Sequence, residues 1–182
     1  GQVAFQNSEP TFNAAQSNNS WQATIAESAF SGSLAFPGTL PLASYDLGGL
    51  AVAYDVLSAN GGSNVSRPDS VDLEPTADVG GGYDLGWTSS GQWFHYTVNV
   101  TTPGTYQLAF RVASPGGAVR AFHLADASGN DLTGAIDVPA TGNWQSWTTA
   151  PAPATHPART QVLPLTEDPG GWHLHQMTAS LP

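Results

Sequence analysis

The stretch Gln92–Val112 reads QWFHYTVNVTTPGTYQLAFRV. Phe94, Tyr96, Val98 and Val100 alternate in it with Trp93, His95, Thr97 and Asn99, the period of two that sends successive side chains to opposite faces of a β-strand. Thr101-Thr102-Pro103-Gly104 has turn chemistry, and Tyr106, Leu108, Phe110 and Val112 then resume an inward face. This alternation decides the fold class. Working outward, short alternating runs punctuated by Gly, Pro and Asn recur from Phe30 onward, and strands are expected at 119–125, 135–138, 144–149, 160–166 and 172–179. No helical periodicity longer than about two turns survives the Gly and Pro. The expectation is an all-β chain, a jelly-roll β-sandwich of two antiparallel sheets.

Residues 1–28 differ from the rest: they are rich in Asn, Gln, Ser and Ala and hold one strand-like run, Trp21–Ile25. They read as an N-terminal arm or linker ahead of a sandwich over 29–182, or as an arm that lends a strand to a neighbouring subunit.

Composition narrows the function. The 182 residues carry fourteen acids against four arginines and no lysine, a net charge of −10, and only 10% of them are charged. A chain of that sign repels phosphate backbones, so nucleic acid is excluded as a partner. No run of about 20 apolar residues is present to span a membrane as a helix. There is no cysteine, hence no disulfide framework and no thiolate chemistry. The surface must be built from Ser, Thr, Asn, Gln and Gly, which suits a secreted, extracellular protein, with Gly1-Gln2-Val3 compatible with a mature terminus. Neither a Gly-x-Ser-x-Gly elbow, a His-Glu-x-x-His pair nor a phosphate loop occurs. Asp72 and Glu74, two apart, are the nearest approach to a glycosidase carboxylate pair, and the reading is that the chain is not an enzyme.

Several segments in order resemble one known family. FPGTLPLASYDLGG (36–49), SVDLEPTADVGGGYDLGWTSSGQWFHYTVNV (70–100), PGTYQLAFRVASPGG (103–117), VPATGNWQSWTT (138–149) and EDPGGWHLHQMTAS (167–180) are similar, in that sequence, to the family 6 carbohydrate-binding modules. The resemblance covers roughly residues 30–182. It implies a jelly-roll sandwich with a sugar cleft in the loops at one end, where two aromatic rings grip a pyranose. Matched position by position, it puts Tyr83 and Trp144 as the gripping pair, with Glu74 and His173 bonding sugar hydroxyls; Trp87, Trp93 and Trp147 read as wall or core. The acids that hold a structural calcium in the family fall here on Pro41, Leu42 and Ala43, and on His175, so that site looks dismantled. The weak metal candidates left are Asp69, Asp72, Asp78 and Asp84, and no cofactor is expected beyond a calcium at those acids. The function implied is non-catalytic binding of a neutral polysaccharide. The alternative is a structural subunit of an extracellular filament or matrix that self-associates through its N-terminal arm.

Overall fold

The computed structural model describes residues 26–57, 66–69 and 71–182. Among the described residues, twelve strands form two six-stranded sheets. In the first sheet β1 (Leu34–Phe36), β6 (Trp93–Val100), β11 (Thr160–Glu167), β8 (Ala118–Leu124) and β9 (Ile136–Val138) lie side by side, with β3 (Tyr54–Asp55) also on β6. In the second, the order is β10 (Thr148–His156), β7 (Gly104–Ala113), β12 (His173–Ser180), β5 (Tyr83–Leu85) and β4 (Leu73–Pro75), with β2 (Gly38–Pro41) on β12. The expected β-sandwich is what forms. Its pairing is antiparallel except at one edge, where β1 runs parallel to β6.

The alternation that announces β6 and β7 is realised residue by residue. Phe94, Tyr96, Val98 and Val100 are buried from one sheet, and Tyr106, Leu108, Phe110 and Val112 from the other. The turn after Val100 therefore carries the chain across the sandwich and does not close a hairpin. The layers meet through aromatic packing: Phe110 on β7 lies edge-on to Phe122 on β8 at 5.0 Å and 74°, and the Phe122 ring lies 4.9 Å from Trp172, tilted by 31°. Offset and T-shaped pairs are the favoured geometries for such rings.

The strand expected at 144–149 is shifted. It begins at Thr148 and continues to His156, through Pro151 and Pro153. Both prolines are exposed, on a strand that bonds only β7 and forms the edge of its sheet, which is where a residue without an N–H is tolerated. Residues 139–147 are thereby released as a loop.

At the other end of the chain, the described part of the arm packs on the sandwich. Glu27 Oε1 meets His95 Nδ1 at 2.7 Å, Ser28 bridges Leu47, and the Phe30 ring lies 4.3 Å from the Arg67 guanidinium. Glu27 and Ser28, ahead of the expected boundary at 29, thus contact the sandwich. The proposed donated strand, Trp21–Ile25, lies outside the described residues.

Candidate functional site

Three loops converge at one end of the sandwich: 86–92 between β5 and β6, 139–147 between β9 and β10, and 168–172 between β11 and β12. The first contains GWTSSGQ, and its shape is fixed by side chains. Thr88 Oγ1 donates to the Trp172 carbonyl at 2.6 Å and accepts the N–H groups of Gly171 and Trp172, both at 3.1 Å, which uses all of a hydroxyl's capacity. Behind it, buried Glu167 accepts from Ser89 N–H at 2.8 Å and Gln92 Nε2 at 2.9 Å through one oxygen. Burial pushes this carboxyl up to about 7 in spite of those two bonds. Gly170 lets the loops touch, since a Cβ there would lie 2.1 Å from the Thr88 carbonyl oxygen. The fastening turns Trp87 outward, at φ 49° and 36% exposed, a left-handed backbone that a bulky residue seldom adopts.

The second loop presents Trp144, which is 46% exposed. Its ring stacks on the His173 imidazole at 5.1 Å and 30°, and the Trp87 ring lies 6.0 Å from the same imidazole. Next to Trp144, Gln145 fills all four of its hydrogen-bonding positions. Its Oε1 accepts from Ala77 N–H (2.8 Å) and Trp147 Nε1 (3.3 Å), and its Nε2 donates to Glu74 Oε1 (2.7 Å) and Asp84 Oδ2 (2.9 Å). The loop is thus pinned to β4 and β5. The result is a cleft of about 530 Å³ with Trp87 and Trp144 exposed at it, buried Trp172 and His173 beneath, and Glu74 and Gln145 alongside. That volume is in the range of small-ligand sites, and the mix of apolar surface with a few convergent polar groups is their usual make-up.

Of the four residues expected to bind, Glu74, Trp144 and His173 are brought together, and Tyr83 is not among the cleft residues. Tyr83 opens β5 two residues before buried Leu85, and the pleat puts both on the core side, where Tyr83 packs against the sandwich interior. Trp87, expected as wall or core, takes the exposed place instead. Trp93 keeps to the outer face of β6 beside His95 (4.5 Å), and Trp147 is half-buried against His175 (5.7 Å). Gln145 and Thr88 were missed; the only signal for either was proximity to a tryptophan.

The acids expected as weak metal ligands do not gather. Asp69 accepts from Tyr45 Oη at 2.6 Å and Arg67 Nε at 3.1 Å, and Asp72 is buried away from the cleft lining. Asp78 is held by Arg111 Nε and Nη2 (2.9 and 2.6 Å) and His175 Nδ1 (2.9 Å). Burial alone would raise Asp78, but these bonds overcome it and hold the carboxyl at about 2. His175, one of the positions where the usual calcium ligands are replaced, is engaged at both nitrogens, by Asp78 and by the Gly81 carbonyl at 3.0 Å. Only Asp84 of the four joins a grouping with metal-ligand geometry among the described residues, with Glu74 and His173.

The sequence pattern of the carbohydrate binding module family 6 matches residues 62–176, more than half of the chain. The chain belongs to that family. The module is 26% identical to a carbohydrate binding module from lichenase 5A of Cellvibrio mixtus, solved in complex with cellotriose, with a TM-score of 0.61 over 80% of this chain and 98% of that one. It is also 26% identical to the C-terminal family 6 module of a marine laminarinase from Zobellia galactanivorans, with a TM-score of 0.58 over 79% of this chain and all of the other. Over 108 residues, 58% of this chain, the module is 33% identical to the clotting factor G alpha subunit of Tachypleus tridentatus, and it spans 16% of that protein's length.

Proposed function

We propose that this module binds a neutral polysaccharide, in the setting of a secreted protein, by seating a sugar ring against Trp87 and Trp144. The observation that carries the reading is the pair of exposed indoles at one cleft, each held out by a fully bonded loop, over a polar group of Glu74, Gln145 and His173. Sugar C–H groups carry slight positive charge and pack on the negative faces of aromatic rings, while polar side chains fix the ring's orientation. The hydroxyl-rich surface, with only 10% charged residues in the chain, suits a neutral ligand. Relatives solved with cellotriose or drawn from a laminarinase make β-glucans the first class to try.

Catalysis by the module itself is not part of the proposal. Glu74 and Asp84, its most closely placed acids at the cleft, converge on one Gln145 amide and one imidazole, and Asp84 is wholly buried. Glycosidase carboxylates instead flank the scissile bond from opposite sides, about 5 Å or more apart. The assembly-subunit alternative rests on Trp21–Ile25, and family membership favours binding over it.

Calorimetric titration with cellotriose and with laminarin oligosaccharides tests the proposal. Wild type is expected to bind at least one of the two. Trp144→Ala and Trp87→Ala are each expected to weaken it about tenfold or more, since an aromatic platform contributes about 0.5–1.5 kcal/mol beyond its buried area. Equal affinities in all three proteins would refute it.

A further inference from the structure

Beneath the indoles, strand pairing brings three ligating atoms to one point. Glu74 on β4 stands directly opposite Asp84 on β5, so both carboxylates rise from the same face of the sheet. Leu174 pairs with Leu85, which sets His173 across from Gly86, just past the end of β5. The missing side chain of Gly86 matters: a Cβ there would come within 3.1 Å of the imidazole, and its absence lets the ring lie close to β5. His173 Nδ1 then sits 3.1 Å from Asp84 Oδ1 and 3.2 Å from Glu74 Oε1.

Two of these three atoms are not accounted for by hydrogen bonding. Asp84 is 0% and the His173 side chain 7% exposed, yet Asp84 Oδ1 and His173 Nδ1 each lack a hydrogen-bond partner. Buried polar atoms without partners are rare and costly. Elsewhere in the sandwich the buried acids are engaged: Asp78 has Arg111, and Asp46 accepts from Thr97. Here a buried carboxylate oxygen and an imidazole nitrogen, both without a hydrogen-bond partner, face each other beside Glu74 Oε1, which accepts from Gln145 Nε2.

We propose that Glu74 Oε1, Asp84 Oδ1 and His173 Nδ1 form a site for one divalent cation of the zinc class, set under the cleft. The distances match. With Zn–N and Zn–O bonds of about 2.0–2.2 Å, the edges of a tetrahedron are about 3.3–3.6 Å, slightly longer than the separations of 3.1 and 3.2 Å found. The chemistry matches as well: neutral imidazole with two carboxylates is a borderline donor set that offsets a double positive charge, whereas calcium asks for six to eight oxygens. Gln145 Nε2, bonded to Glu74 Oε1 and Asp84 Oδ2, orients both carboxylates in the way that outer partners of metal ligands do. Glu74, the most exposed of the three, opens the site toward the cleft, leaving the remaining positions to water or to a hydroxyl of the cleft's occupant.

The test uses the whole chain, stripped with chelator and dialysed, then titrated with zinc and with cobalt. One equivalent of zinc is expected to bind and to raise the melting temperature, because a ligand that binds the native state alone stabilises it. Cobalt is expected to give the visible absorption of a four- or five-coordinate ion. Asp84→Asn and Glu74→Gln are expected to weaken zinc about 100-fold, and Trp87→Ala to leave it unchanged while sugar affinity falls. Wild type that binds no zinc, or binds it equally well in both carboxamide variants, would overturn the site. Since the wild-type cobalt spectrum does not depend on a variant folding, misfolding of either variant does not protect the proposal. Sugar binding without zinc binding refutes only this inference, and the reverse refutes only the proposed function.

Discussion

Trp87 and Tyr83 show what a single residue's setting decides. Both are aromatics after glycine in GGYDLGW, and four positions separate them. Tyr83 lies inside a strand, where the pleat commits it to the core side with Leu85. Trp87 lies past the strand end, at positive φ, and escapes that alternation. Periodicity reads strands and is silent on turns, so the sequence pointed to Tyr83 where Trp87 lines the cleft. Trp144, Glu74 and His173 were legible through the motifs around them. Gln145 was not, because its role is to satisfy atoms from three distant segments. Two outcomes follow at this scale. Tyr83→Phe is expected to leave sugar affinity within about twofold of wild type by calorimetry, since the ring stays in the core. Gly170→Ala is expected to destabilise the fold by about 1–3 kcal/mol in denaturant unfolding and to weaken sugar binding, because its Cβ displaces the Thr88 carbonyl and with it the Trp87 loop.

At the scale of elements, β6 and β7 were the most readable parts, since a two-residue period over eight or ten residues has no competing interpretation. The strands β1 to β5, of two to four residues, carry too few alternations to be seen, and one of them, β4, brings Glu74 to the cleft. β10 was displaced because prolines argue against a strand unless it is known to be an edge. The contact between β11 and the Trp87 loop rests on Glu167, and its burial makes a pH prediction. Its folded value, about 7, lies above the unfolded carboxylate value of about 4.3. The folded state therefore holds a proton that the unfolded state has lost between those limits, and this group's contribution to stability falls as pH rises from about 4 to 7. Glu167→Gln abolishes that loss while preserving the acceptor for Ser89 and Gln92. The variant is expected to gain stability relative to wild type on going from pH 4 to pH 8, by up to a few kcal/mol, in urea unfolding at the two pH values. A difference independent of pH would contradict the assignment.

Over the whole molecule, the acid side of the stability profile belongs to Asp78. Arg111 and His175 hold its folded value at about 2, below its unfolded one, so its contribution is full above about 4 and is lost as pH falls through 2. Asp78→Asn is expected to flatten that limb of the melting-temperature profile between pH 4 and 2. The charge and composition of the chain were informative about partners from the outset, and family membership agrees with a carbohydrate partner. What the sequence concealed was the convergence of three loops, because their contacts join residues 70 to 100 positions apart, such as Thr88 with Trp172 and Gln145 with Glu74. The central claim is that a sugar ring meets Trp87 and Trp144. The most direct measurement is a heteronuclear NMR titration that follows the indole N–H signals of the six tryptophans as cellotriose or a laminarin oligosaccharide is added. The account predicts that the Trp87 and Trp144 signals shift together and saturably, while that of Trp93, on the outer face of the other sheet, stays in place. Saturable shifts confined to Trp93, or no shift in any indole with either glycan, would contradict it.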